Sequence, residues 1–65
     1  DLSIDLGSIY ETVTLSLTDI NGKLIRSSAY NNRQLLDLRL KEQSGVYLLI
    51  VEAEERKAVI RLVKE

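Results

Sequence analysis

The sequence predicts a small all-β domain, an antiparallel sandwich of about six to seven short strands, and three observations carry that prediction. Apolar and polar residues alternate with a period of two along most of the chain. Turn signals recur about every eight to twelve residues, the spacing of sandwiches and small barrels. No proline and no credible long helix interrupts the pattern.

The elements follow in order. Leu2-Ser3-Ile4-Asp5-Leu6 alternates and is closed by Gly7. Val13-Thr14-Leu15-Ser16-Leu17-Thr18 alternates again, with hydroxyls outward and Val or Leu inward. Asn21-Gly22, between Ile20 and Lys23, is expected to form a type I′ hairpin turn. That turn needs φ > 0 at both central residues, which Asn tolerates and Gly adopts without penalty. The return strand runs from Lys23 to about Tyr30, and Asn31-Asn32 reads as a second turn. Residues 34 to 40 form a clean alternation, with Leu36, Leu38 and Leu40 inward and Asp37 and Arg39 outward. A helix over residues 33–43 competes, because Leu, Arg, Lys, Glu and Gln are good helix formers, but the strict period of two favours a strand. Lys41 to Ser44 is a polar connection that ends at Gly45. Val46 to Ala53 is apolar on both faces, the mark of a central, covered strand. Glu54-Glu55-Arg56 is a tight charged turn, and Lys57 to Lys64 is the last strand.

Sixty-five residues make a single domain whose core is aliphatic, since Phe, Trp, Met and Cys are absent and Tyr occurs three times. Without cysteine there is no disulfide to reinforce so small a core. The formal net charge of −1 argues against nucleic acid and against an electrostatic membrane anchor. The apolar run Val46 to Val51 is far too short to span a bilayer. The chain starts at Asp1 without Met or a basic-plus-apolar leader, so it is expected to be cut from a longer secreted precursor.

Catalytic chemistry finds little support. Histidine and cysteine, the common general base and soft ligands, are both missing. Ser27, Ser28 and Ser44 lie in no nucleophile motif, and no phosphate-cradling glycine loop occurs. Asp19-Ile20-Asn21-Gly22 faintly suggests a calcium loop but lacks its remaining ligands, so Asp19 and Asn21 are read as shaping the hairpin. Glu54 and Glu55 form a solvated turn beside Arg56 and Lys57. The expectation is a non-enzyme with no cofactor and no metal.

Three segments in order carry a resemblance: Thr18-Asp19-Ile20-Asn21-Gly22-Lys23-Leu24-Ile25, Ser44-Gly45-Val46-Tyr47-Leu48-Leu49-Ile50, and Lys57-Ala58-Val59-Ile60-Arg61-Leu62-Val63-Lys64-Glu65. Together the series resembles the type IX secretion system (Por secretion system) C-terminal sorting domain, type A, over almost the entire chain. The family often places Leu-x-x-Gly before the Val-Tyr pair, whereas here the Leu nearest Gly45 is Leu40, and Ile50 stands where a polar or basic residue is common. The resemblance implies an Ig-like β-sandwich that carries an N-terminally fused cargo across the outer membrane of a Bacteroidota-type bacterium. It implies the translocon and a cell-surface sortase as partners, the latter removing the domain by a cut before Asp1. Gly45, Val46, Tyr47, Lys57, Val63, Lys64 and Glu65 are the residues expected to be recognised, with Asn21 and Gly22 as a structural turn. On a packing reading, Val46, Leu48, Val59, Ile60 and Leu62 would instead be interior, Gly45 would serve a backbone conformation, and Tyr47 would be a core aromatic with its hydroxyl at the rim. Exposed strand edges also allow a strand-exchanged homodimer. The alternatives are an Ig-like or fibronectin-like binding or adhesion module, for which Tyr10, Tyr30 and Tyr47 are a thin aromatic supply, and a purely structural cap.

Overall fold

A computed structural model describes residues 2–65 as an all-β chain of four strands, β1 (Leu2–Asp19), β2 (Leu24–Leu38), β3 (Gly45–Ala53) and β4 (Arg56–Lys64). All four form one antiparallel sheet in the order β2-β1-β3-β4. The six expected strands thus merge into four, and one sheet replaces the expected pair of sheets.

The merging occurs where a turn was expected and the backbone bends without reversing. Gly7 (φ 84°) and Asn32 (φ 53°) both adopt the left-handed conformation. Gly7 lies within the stretch of β1 where the β1–β2 register jumps from Asp5↔Leu35 to Tyr10↔Arg33, and Asn32 lies just past that jump on β2, between the Tyr10↔Arg33 and Thr12↔Asn31 pairs. Extra residues in one strand bend it and increase its twist. Extended backbone advances about 3.3 Å per residue, so a straight strand of β1's length would reach about 60 Å. The longest dimension of the molecule is 32 Å, so the ribbon has to fold back.

The bend reverses the side-chain parity that faces inward. Before it, Leu2, Ile4 and Leu6 pack against the core. After it, the buried hydrophobic residues are Val13, Leu15 and Leu17. On β2, Leu36 is fully buried in the same cluster as Leu49 and Val51, although β2 and β3 are not neighbours in the sheet. The far ends of β1 and β2 therefore lie over the face formed by the rest of β1 and by β3. This supplies two-layer packing from a single bent sheet. Leu38 and Leu40 are half-buried against the same core, as their alternation predicted, although β2 itself ends at Leu38.

The β1–β2 hairpin differs in detail from the expected type I′ turn. Asp19 and Lys23 close a three-residue loop, and only Gly22 (φ 87°) has positive φ. Gly22 N–H donates to the Asp19 carbonyl at 3.0 Å, and Asp19 N–H donates to Lys23 O at 3.0 Å. That is a type I turn followed by a left-handed bulge residue, the usual three-residue hairpin. The Asp19 carboxylate favours it by accepting from Asn21 N–H and Lys23 N–H, each at 2.9 Å. The Glu54–Glu55 turn joins β3 to β4 as expected, with Glu54 at φ 56°.

Candidate recognition surface

The antiparallel register of β3 and β4 sets Gly45 opposite Lys64, Val46 opposite Val63, and Tyr47 opposite Leu62. Six of the seven sequence-selected residues therefore gather at one end of the sheet, with exposed Glu65 following β4. Lys57 is not among them. It lies opposite Glu52, about 20 Å along the strand from Val63 at the usual rise. The Asp19–Lys23 loop reaches the same end as the cluster, because Asp19 pairs with Tyr47 and Thr18 with Leu48. The three segments that carry the resemblance thus converge in space.

Alternation divides this end into two faces. Tyr47, Leu62 and Lys64 look toward the core side, and Val46 and Val63 toward the opposite face. Val63 is 65% exposed and Val59, on the same face, 57%. Val46, Leu48 and Ile50 are half-buried there. Only Leu62 of the residues assigned to the interior on the packing reading lies against the core. Val46, Leu48 and Val59 fall on the outer face. Ile60 points to the core side but is 37% exposed, because β4 is an edge strand with no neighbour beyond it.

On the core side, three side chains tie down the connection between β2 and β3. Lys64 Nζ donates to Leu40 O at 2.8 Å and to Glu42 O at 2.6 Å. The Tyr47 hydroxyl donates to Gln43 O at 2.6 Å. Arg26, core-facing because it pairs with Leu17, donates to Arg39 O and forms a 3.4 Å ion pair with Glu42. Lys64 is thus a clamp on main-chain carbonyls as well as a terminal charge, and Tyr47 is the core aromatic with an anchored hydroxyl that was expected. Gly45 does not have positive φ, so the backbone reading of this glycine is corrected. A Cβ there would meet the Tyr47 hydroxyl and ring at 3.7 to 3.9 Å, ordinary contact. Arg26 was missed in the sequence, which gives no sign that a strand arginine will reach a distant carbonyl.

At the other end, Asp5 accepts from Gly7 N–H at 2.9 Å and from Gln34 Nε2 at 3.2 Å. These bonds, that from Gly7 first, hold its carboxyl below the usual 3.8. Tyr10, Tyr30 and Tyr47 are all partly buried against the core, so they form no exposed aromatic platform of the kind glycan-binding modules use. Among the described residues no group of three or more acidic side chains is arranged to hold a metal ion, and no helix is long and apolar enough to cross a membrane.

The family model described as the secretion system C-terminal sorting domain matches residues 1–65. Neither a curated protein nor a solved structure matches the chain. The match extends over the whole sequence, including the three segments that meet at the β3–β4 end, and leaves the adhesion-module reading without support. The chain belongs to the secretion-system C-terminal sorting domains and is a sorting signal for type IX secretion.

Proposed function

We propose that the domain acts as ligand and substrate of the secretion machinery and performs no chemistry itself, with the β3–β4 end as the surface that is recognised. The observation that supports this is the convergence of the Asp19–Lys23 loop, the Gly45–Tyr47 start of β3 and the Val63–Glu65 end of β4. A folded signal needs side chains presented rigidly, and the Lys64, Tyr47 and Arg26 clamps hold this end. Val46 and Val63 face away from the core, where a partner can bury them without unfolding the domain. Covering Val63, which is 65% exposed, would contribute about 1–2 kcal/mol, and covering the half-buried Val46 less.

In this reading the cargo precedes the domain, passes through the periplasm and crosses the outer membrane to the cell surface or medium. A cell-surface sortase then cuts the chain, and the expected cut before Asp1 lies outside the described residues. The sequence supports a non-catalytic role by lacking both His and Cys.

The test is Val46→Lys with Val63→Glu, which places opposite charges on this cross-strand pair, in an exported fusion, beside Glu55→Ala at the opposite end of the β3–β4 hairpin. The first pair is expected to keep the far-UV spectrum and lower export severely, and Glu55→Ala to leave export unchanged. Wild-type export by the folded double variant would refute the assigned surface.

A further inference from the structure

Strand β4 is a regular sheet edge. Its pairing with β3 runs from Ala53↔Arg56 to Gly45↔Lys64 without a register shift. The other edge, β2, is interrupted twice, by a bulge at Ile25 and by Asn32 at positive φ, irregularities that blunt an edge against further pairing. Two-residue hairpins close on a hydrogen-bonded pair, here Ala53 and Arg56. Alternation then turns the N–H and C=O groups of Lys57, Val59, Arg61 and Val63 away from β3.

The side chains along this edge have a definite chemistry. Between Arg56 and Lys64 there are four basic residues and no acidic one. Lys57 and Arg61 stand exposed on the outer face, and neither makes an ion pair with a described residue. On the core side, Ala58 and Ile60 border an open groove continued by Ile4, Leu6 and Tyr10 of the folded-over ribbon. A strand added here would place alternate side chains in that apolar groove and the others beside Lys57 and Arg61.

We propose that the β4 edge accepts, by strand addition, an extended acidic segment of a partner protein. Its apolar residues would alternate with carboxylates that meet Lys57 and Arg61. This rests on the reading of the β3–β4 end as the recognised surface, extends it along the β4 edge as far as Lys57, and names the chemistry of what it takes. Charge selects against a second copy of the chain. Antiparallel β4–β4 pairing centred on Ile60 would set Arg56 opposite Lys64 and bring all the basic side chains of both strands together, and like charges directly opposite are destabilising.

The test uses the 65-residue domain and a synthetic blocked peptide, Thr-Val-Glu-Val-Thr-Val-Glu-Val-Thr, with a control in which Lys replaces both Glu. The acidic peptide is expected to bind and to slow amide exchange at Lys57, Val59, Arg61 and Val63, and the lysine peptide to bind about tenfold more weakly, or less. Lys57→Glu with Arg61→Glu should invert that preference. Val59→Pro removes an edge N–H without a β3 ladder bond, so it should keep the fold and abolish binding. Equal binding of the two peptides, protection on β2, unimpaired binding by Val59→Pro, full competition by inorganic phosphate, or a concentration-dependent mass showing a β4 dimer would each overturn the proposal. Absence of peptide binding while Val46→Lys with Val63→Glu still blocks export would overturn the edge proposal alone. Normal export by that variant would overturn the recognition surface on which it rests.

Discussion

Leu35 and Leu36 are adjacent in sequence and chemically identical, yet the bent sheet gives them opposite energetic roles. Leu36 is fully buried in the central cluster, whereas Leu35 is 56% exposed. Truncating Leu36 to Ala removes buried methyl groups and leaves a cavity between the folded-over ribbon and β3. Such changes cost about 2–5 kcal/mol. A domain of this size has about 3–10 kcal/mol in total, so Leu36→Ala should remove about a fifth of the stability or more. At about 4–8 °C per kcal/mol for small domains, a loss of about 3 kcal/mol lowers Tm by about 12–24 °C. Leu35→Ala should stay within about 0.5 kcal/mol. Urea unfolding followed by far-UV circular dichroism measures both, and Leu36→Val, costing about 1 kcal/mol, serves if Leu36→Ala is too unstable to fit. Equal losses at the two positions would show that the β1–β2 ribbon does not fold over the sheet, and the account of the core would fall with it.

Further predictions concern the turn, the clamp and the acid limb. Gly22→Ala should cost about 1 kcal/mol or more, because its φ is left-handed. Asn21→Ala should cost less than about 0.5 kcal/mol, whereas a type I′ turn would make both costly; thermal melts decide. Lys64→Met should cost about 1–2 kcal/mol through its two carbonyl bonds and speed amide exchange in residues 39–44. Asp5, whose folded carboxyl titrates below 3.8, adds stability above its unfolded pKa that is lost as pH falls through the folded value. The Asp5→Asn variant should therefore lose less stability than wild type on acidification below about pH 4, as followed by urea midpoints against pH.

Much of the fold was legible because alternation is a strong signal on a two-sided sheet. The inward set Val13, Leu15, Leu17, Leu36, Leu38 and Leu40 was placed correctly, as was β3 at an interior position of the sheet. Positive-φ sites were legible too, but their consequence was not. Gly7 and Asn32 look locally like reversals, and only the register jump between Asp5↔Leu35 and Tyr10↔Arg33, which they adjoin, makes them part of one bend. The Asn21-Gly22 dipeptide suggested a two-residue turn because the two bonds that Asp19 accepts depend on side-chain placement. The candidate site was read as three separated segments, and the register brought them together. What escaped was which side of the edge each residue occupies. Val59 and Ile60 look like core residues in sequence and are exposed because β4 has no outer neighbour. The Lys64 and Arg26 clamps have no local signature, since their acceptors are main-chain carbonyls of residues 39 to 42.

The most direct test of the central claim is export of a periplasmic reporter carrying these 65 residues at its C-terminus, compared between a type IX-competent bacterium and a secretion-null strain. A sorting domain that is sufficient by itself places the reporter on the surface or in the medium of the competent strain alone. A reporter held in the periplasm of both strains, with the domain folded, would contradict the account.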